Sequence, residues 1–497
     1  MIGRRPLLLS ALAPCFVRHA RAADVPRFGL GVASGQPQPQ SLVLWTRLTG
    51  PDLPPQVPVH WELAHDEQFS RIAASGVESA DAAWAHSVHA EPAGLAPARW
   101  YWYRFRALGQ ASAVGRTRTA PAADAPATLH AAIASCQRWD HGHYAAWRQL
   151  AAQPPDLLLF LGDYIYEYAS RPDALRRHEG LMVRTLADYR RRYAQYKSDP
   201  ALQAAHAACP WLLTWDDHEL ENDYAGSAPA TPSGADMRSQ RAAAYQAWWE
   251  HQPVAKALRP QGAEMRIFGQ LDWGRLARIH LLDGRQYRHV QACPPPLRAS
   301  GARRIAAADC PELQDPARSL LGAEQERWLA QGWDLNRPWN LLAQQTLMAP
   351  IDADNSGRVW TDGWDGYAPA RQRLLATVAE RRVPGAVVLG GDVHAHLVAD
   401  LHAEPGNARS PVVASEFCGS SISSQGRAQA LLATAMARNP HLHYGRADQR
   451  GYMAFKIDAR QLQAQVMVVQ RPEDPNSPVL EAARFVVDPQ RPGPQRD

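Results

Sequence analysis

Beyond residue 22 the chain never approaches the roughly 18 consecutive apolar residues that a membrane-spanning helix needs, so stable membrane insertion is not expected. It also lacks an excess of either charge. The formal +4 is carried entirely by Arg4, Arg5, Arg18 and Arg21, and the remainder is near neutral (+4 minus +4). Such a surface argues against a nucleic-acid scaffold role or a polybasic membrane surface. No repeat or low-complexity block interrupts the 497 residues, and the 46% apolar content is ample for large cores, so the chain is globular. Cysteine is scarce: six residues, five once Cys15 is set aside, an odd number that leaves at least one thiol unpaired. Cys293 and Cys310 bracket a Pro/Arg-rich loop without periodicity, where a loop-closing disulfide is plausible in an oxidising compartment. Cys136, Cys209 and Cys418 then need another account.

The first 22 residues carry paired arginines, a short apolar run and an Ala20-Arg21-Ala22 site, the layout of an export signal. Arg4 and Arg5 suggest the twin-arginine route, with the Tat export machinery as a partner and a periplasmic or secreted location. Residues 25–120 alternate apolar and polar positions in short runs punctuated by Gly and Pro, which predicts an immunoglobulin-like β-sandwich. A small-residue linker at Pro121–Ala127 marks a change of texture. Over residues 128–485 strand and helix patterns alternate, which predicts an α/β domain closed by an alternating C-terminal tail.

Several apolar runs in that second domain stop at a chemically active residue. Leu129–Ala134 leads to Cys136, Leu157–Gly162 to Asp163, Trp211–Trp215 to Asp216 and Asp217, Ala277–Leu282 to Asp283, and Ala386–Gly391 to Asp392. A lone acid after a strand is usually a helix cap or turn former. Five such ends in one domain predict a rim of metal ligands, because ligands bind at the carboxyl ends of strands in open α/β sheets. Asp163 and Tyr166 can both reach one ion if the chain turns after the strand, and phenolate suits trivalent iron. Asp392 and His394 share one face of an extended segment and could reach two neighbouring ions; His396 shares that face or is simply a surface residue. His218 stands within Asp216–Asp223 among acids whose mutual repulsion a cation would relieve. Cys136 offers a soft anionic ligand or a buried structural thiol.

Ala134–Gln137 (ASCQ), Gly162–Tyr168 (GDYIYEY), Trp215–Asp223 (WDDHELEND), Asp283–Arg288 (DGRQYR), Gly391–His394 (GDVH), Ser415–Phe417 (SEF) and Gly419–Ser424 (GSSISS) resemble, in this order, the PhoD-type alkaline phosphatases/phosphodiesterases. Phe28–Pro37 and Leu44–Arg47 are similar to the family's N-terminal β domain, so the resemblance covers nearly all of the chain after the signal. It implies a calcineurin-like metallophosphoesterase core of two facing mixed β-sheets flanked by helices, with ferric iron and calcium, two calcium ions being expected, rather than a zinc pair. By analogy with the purple acid phosphatases, which share the Gly-Asp-x-x-Tyr segment, Cys136, Asp163, Tyr166 and His394 would hold iron. Asp163 would bridge to calcium, completed by Asp217, Asn222 and Asp392. Gln36 departs from the family pattern, which usually has Asp there, Gly284 stands where Thr is usual, and Cys418 where an aliphatic residue is expected.

The implied reaction is hydrolysis of a phosphoester by in-line attack of a metal-activated hydroxide. His218 is the candidate to hydrogen-bond the phosphate and protonate the leaving alkoxide. Arg285, with Arg288, is a candidate phosphate clamp or else a structural ion pair. Val359–Tyr367 and Gly419–Gly426 are candidate mouth loops. A phospholipase-D-like diesterase acting on phospholipid headgroups, and a secreted binding protein with structural metals, are the alternatives. A monomer is expected.

Overall fold

A computed structural model describes residues 25–228, 236–296, 298 and 300–497; the export signal expected over residues 1–22 lies outside them. The runs LLLFL and PWLLT form strands Leu157–Leu161 and Pro210–Thr214, every residue of which is buried. Leu157, Leu159 and Leu161 turn to one core and Leu158 and Phe160 to another, the period-two alternation of a strand covered on both sides.

These strands are the centre of a ten-stranded sheet, whose order is Arg491–Arg496, Val479–Asp488, Leu462–Val469, Arg450–Ile457, Leu129–Ala134, Leu157–Leu161, Pro210–Thr214, Val32–Gly35, Val43–Arg47 and Ser87–Ala90. A seven-stranded sheet runs Gly269–Trp273, Ala277–Leu281, Trp339–Ala343, Ala386–Gly390, Val412–Cys418, His396–His402 and Leu442–Arg446. Ile133, Leu159 and Leu161 of the first sheet and Ile279, Leu341, Val387 and Phe417 of the second share one buried cluster, so the sheets pack face to face. Helices Ala145–Ala152, Leu186–Lys197, Pro200–Ala208 and Met237–His251 cover the outer face of the first sheet, and Gly322–Gly332 and Ala368–Glu380 that of the second. This is the mixed, helix-flanked α/β double sheet.

The N-terminal β domain is present, with a core built on Val57, Val59, Leu63, Tyr103 and Phe105. Its strand Val32–Gly35 pairs parallel with Pro210–Thr214, through Ser34 with Pro210 and Gly35 with Trp211, so one of its layers is the margin of the large sheet. Gln36, at the end of that strand, accepts the Ala255 N–H through Oε1 (2.7 Å). The disulfide between Cys293 and Cys310 is formed.

Parallel pairing makes the central strands end together. Leu161 lies beside Thr214 and Phe160 beside Ala134 in one sheet. Leu281 lies beside Ala343, and Gly390 beside Cys418, in the other. The residues that follow these positions therefore meet on one rim. His396 is not a surface residue: it is fully buried at the start of His396–His402, and its Nδ1 accepts the Ser420 N–H (3.1 Å).

Candidate active site

Five residues at that rim have left-handed backbone: Cys136 (φ 57°), Asp163 (59°), Asp223 (58°), Asp392 (63°) and His394 (52°). Non-glycine residues rarely adopt this region, which costs on the order of 1–3 kcal/mol each and is retained where the surroundings over-determine it. Cys136, Asp163, Asp392 and His394 sit just past a strand, where the chain bends back toward the cleft between the sheets, and Asp223 ends the longer loop that follows Pro210–Thr214. Gly162 permits one of these bends: a Cβ there would lie 2.6 Å from Cβ of Asp216. The two carboxylate loops thus approach as closely as backbone allows.

Sγ of Cys136, a carboxylate oxygen of Asp163 and a ring nitrogen of His394 lie within 4.8 Å of one another. The Tyr166 hydroxyl donates to Asp163 Oδ2 (2.8 Å), accepts from Ser424 Oγ (2.8 Å) and stands 3.2 Å from His394 Nε2. His394 Nδ1 faces the Gln425 carbonyl at 2.9 Å. A carbonyl only accepts, so the ring proton sits on Nδ1 and the Nε2 lone pair points at the cluster. Burial, with only partial compensation from that carbonyl, holds the His394 pKa down at about 3, which keeps the ring neutral.

The carboxylates form two further groups: Asp163 with Asp216 and Asp392, and Asp217 with Asp223 and Asp362. Burial first, then their mutual repulsion, pushes Asp163 well above the carboxylate range, Asp216 to about 8 and Asp392 to about 6, against the pull of nearby cationic groups. Asp163 Oδ1 and Asp216 Oδ2 are buried without a hydrogen-bond partner. Thr346 Oγ1 donates to Asp392 Oδ2 (2.7 Å). Glu219 accepts the N–H groups of Asp163 (3.0 Å), Tyr164 (2.6 Å) and Asp216 (2.9 Å), which locks the two loops together.

His218 packs tilted against the Tyr166 ring with centroids 4.1 Å apart, and its Nδ1 lies 2.8 Å from Glu167 Oε2. Burial opposes its charge, but Glu167, Asp163 and Asp217 outweigh burial and hold its pKa well above the usual histidine value. Asn222 is fixed through its backbone N–H, donated to Glu167 Oε1 (3.0 Å).

Arg285 takes a different place from the phosphate clamp raised by the sequence. Its side chain is 1% exposed, its Nε donates to Asp216 Oδ1, its Nη1 to Asp362 (2.8 Å), and its Nη2 stands 3.5 Å from Asp217. Arg288 pairs with Asp362 Oδ1 at 2.8 Å. With its fork engaged by three carboxylates, Arg285 is a buried structural ion pair. Asp283 also has the plain turn-forming role: Oδ1 accepts the N–H groups of Arg285 and Gln286 (both 3.0 Å), and Trp215 Nε1 donates to it (3.2 Å).

Sequence reasoning passed over Asp362, Glu167, Glu219, Thr346 and Ser424 as site residues. Asp362 carried the same signal as the others, an acid after a short strand, Arg358–Trp360. Glu167 and Glu219 lie inside the segments already singled out, but a role as backbone acceptor leaves no mark on spacing.

A family model of the PhoD-like phosphatases matches residues 131–466, and that of their N-terminal domain matches residues 13–121. The chain is 40% identical to alkaline phosphatase D of Bacillus subtilis (strain 168) over 479 residues, 92% of this chain and 80% of that one. A solved PhoD structure superposes with a TM-score of 0.89 at 39% identity, covering 95% of this chain and 92% of that chain. A purple acid phosphatase from yellow lupin (Lupinus luteus) shares the fold at 11% identity, TM-score 0.56, over 92% and 74% of the two chains. The chain belongs to the PhoD-like phosphatase family.

Proposed function

We propose that this PhoD-like phosphatase is an exported, metal-dependent hydrolase of phosphoesters that uses iron and calcium. The observation that carries this reading is the unpartnered, buried oxygens of Asp163 and Asp216 beside a neutral His394 and the Cys136 thiol. Buried carboxylates are stable only when paired or coordinated. The donor set is mostly oxygen with one sulfur and one ring nitrogen, which suits a hard cation and iron better than a zinc pair.

Cys136, Asp163, Tyr166 and His394 would hold iron, with Asp163 shared toward calcium at Asp217 and Asp392. Asn222 would complete that second group, and Asp216, whose free oxygen stands with Asp163 and Asp392, joins it. The Asp217, Asp223 and Asp362 group already has Arg285 and Arg288 as counter-charges. When bound, such cations polarise phosphoryl oxygens and acidify a water. His218, held protonated by Glu167, supplies the proton for the leaving alkoxide. Glu219, Thr346 and Ser424 hold Asp163, Asp216, Asp392 and Tyr166 in place before substrate arrives. The Tat-like N-terminus supports export to the periplasm or outside the cell, and the texture change near Pro121 supports a sandwich domain over 25–120 and a catalytic domain over 128–485.

The test is metal analysis of the purified protein by mass spectrometry with a visible spectrum. Iron with calcium, and a charge-transfer band abolished by Tyr166→Phe and altered by Cys136→Ser, is expected. A zinc pair would sink the assignment. Rates on p-nitrophenyl phosphate, bis-p-nitrophenyl phosphate and phosphatidylcholine separate monoesterase, diesterase and phospholipase action.

A further inference from the structure

One large aromatic face at the rim has no role in the chemistry above. Trp360 is 38% exposed and ends the strand Arg358–Trp360, which pairs antiparallel with Arg304–Ala306. Alternation along the strand explains the exposure: Val359 packs against the small core of Ala292, Ile305 and Cys310, so the side chain of Trp360 leaves by the opposite face. The backbone beyond it is fixed, because Thr361 exchanges hydrogen bonds with Arg303, N–H to carbonyl at 3.1 Å and N–H to Oγ1 at 3.0 Å.

Across the mouth, Arg427 lies with its guanidinium carbon 5.7 Å from the Trp360 ring centroid, in cation–π range. Each partner is two residues from the site. Trp360 precedes Asp362, which stands with Asp217 and Asp223. Arg427 follows Gln425, whose carbonyl fixes the His394 ring. Two residues span at most about 7 Å of chain, so both side chains are anchored at the rim of the cation cluster, one on each side. Gly426 makes the second anchor rigid, since a Cβ there would collide with the carbonyls of His394 and Ala447. The contact therefore links the His394 side of the site, through Gln425, Arg427 and Trp360, to the Asp362 side. A partly exposed indole at this position, with a cation over one part of its ring, is a stacking platform for a flat π-system.

We infer that Trp360 and Arg427 form a subsite for a planar aromatic group in the organic part of the ester, a nucleobase or an aryl ring. This rests on the phosphoester-hydrolase reading of the site. It makes the enzyme selective among esters by the group that leaves, whereas the cluster of acids and His218 acts on the phosphorus common to all of them.

The test compares kcat/KM of the metal-loaded enzyme for adenosine 5′-monophosphate, p-nitrophenyl phosphate and glycerol phosphate in the unaltered protein, Trp360→Ala, Trp360→Phe and Arg427→Ala. Loss of base stacking on alanine substitution should lower the ratio of an aromatic to the glycerol ester about tenfold in Trp360→Ala. Trp360→Phe should restore most of that ratio, and Arg427→Ala should lower it by a smaller factor. A fall confined to adenosine monophosphate identifies a nucleobase; one confined to the nitrophenyl ester identifies an aryl ring. A ratio within about twofold of the unaltered enzyme for both aromatic esters overturns the subsite. Calorimetric titration with adenosine monophosphate and with inorganic phosphate is read alongside. If no ester turns over, the hydrolase reading fails, and the ratio of these two dissociation constants, expected to shift about tenfold in Trp360→Ala, still decides the subsite.

Discussion

At the scale of single residues, the centre is held by charges that cannot be removed singly. Arg285 is buried among Asp216, Asp217 and Asp362, and burial disfavours its charge less than those carboxylates favour it. Taking one partner from a buried ion-pair network leaves uncompensated charge and costs about 3–5 kcal/mol. Arg285→Met should therefore lower the stability of the protein by that order, measured by urea denaturation. A phosphate clamp would behave otherwise: the midpoint would stay in place and KM for the ester would rise. His218 differs from Arg285 in having one partner, Glu167, and a second ring nitrogen left for substrate. That contrast between a saturated guanidinium and a half-committed imidazole could not be seen in a sequence where both simply stand beside acids.

At the scale of elements, the central strands that end at the rim were legible, whereas strands such as His396–His402 and Val412–Cys418 and several helices were not. Strands such as Leu157–Leu161 and Ala386–Gly390 are apolar on both faces because both faces are covered, and such runs stand out in any sequence. Helix Met237–His251 was missed because its buried side includes Gln240, Glu250 and His251, which break the apolar stripe. Their burial is made tolerable by partners remote in sequence, such as Arg190 for Glu250 (2.5 Å). The junction of Val32–Gly35 with Pro210–Thr214 was invisible for a related reason: alternation tells which face of a strand is buried, not which strand lies beside it. The site followed the same division. Ligand candidates that end long apolar strands were found, whereas Asp362 follows a strand of only three residues, Arg358–Trp360, which is placed by its pairing with Arg304–Ala306 in the cross-linked segment 293–310. There Ala302 donates its N–H to Asp223 Oδ2 (3.1 Å), and Gln291 bridges Asp362 (2.6 Å) and Gly301 (3.0 Å). The disulfide joins cysteines 17 apart in sequence, a constraint of about 3 kcal/mol on chain-entropy grounds. Replacing both Cys293 and Cys310 with Ser should speed proteolytic cleavage within the loop and lower activity through Asp223 and Asp362. Equal cleavage rates for the two proteins would show that the loop is held by its hydrogen bonds alone.

At the scale of the whole molecule, burial of titratable groups sets a window of pH. His89, His178 and His396 are held down at about 3 and His280 at about 4, chiefly by burial. Their stabilising neutrality is complete above the unfolded value of about 6.5 and is lost as pH falls through the folded values, by up to about 1.4 kcal/mol per pH unit for each. The carboxylates of the site act with the opposite sign. Asp392 is raised to about 6, Glu219 and Asp223 to about 7 and Asp216 to about 8, again chiefly by burial. A raised carboxylate favours the fold below its unfolded value near 4, and that contribution disappears as pH rises through the folded value. Without bound cations the protein should thus be squeezed from both sides, acid through the histidines and alkali through the acids. Cations bound at the site remove only the alkaline limb, because they hold these carboxylates ionised in the folded state and so bring their folded pKa values below the unfolded ones. Melting temperatures measured from pH 5 to pH 9 should show a chelator-treated protein that weakens between about pH 6 and pH 8 and a metal-loaded one that does not, while below about pH 6 the metal-loaded protein weakens the more steeply, because its site acids no longer offset the histidines. A gap between the two that stays constant with pH would mean that the cations act elsewhere than on this cluster of buried acids.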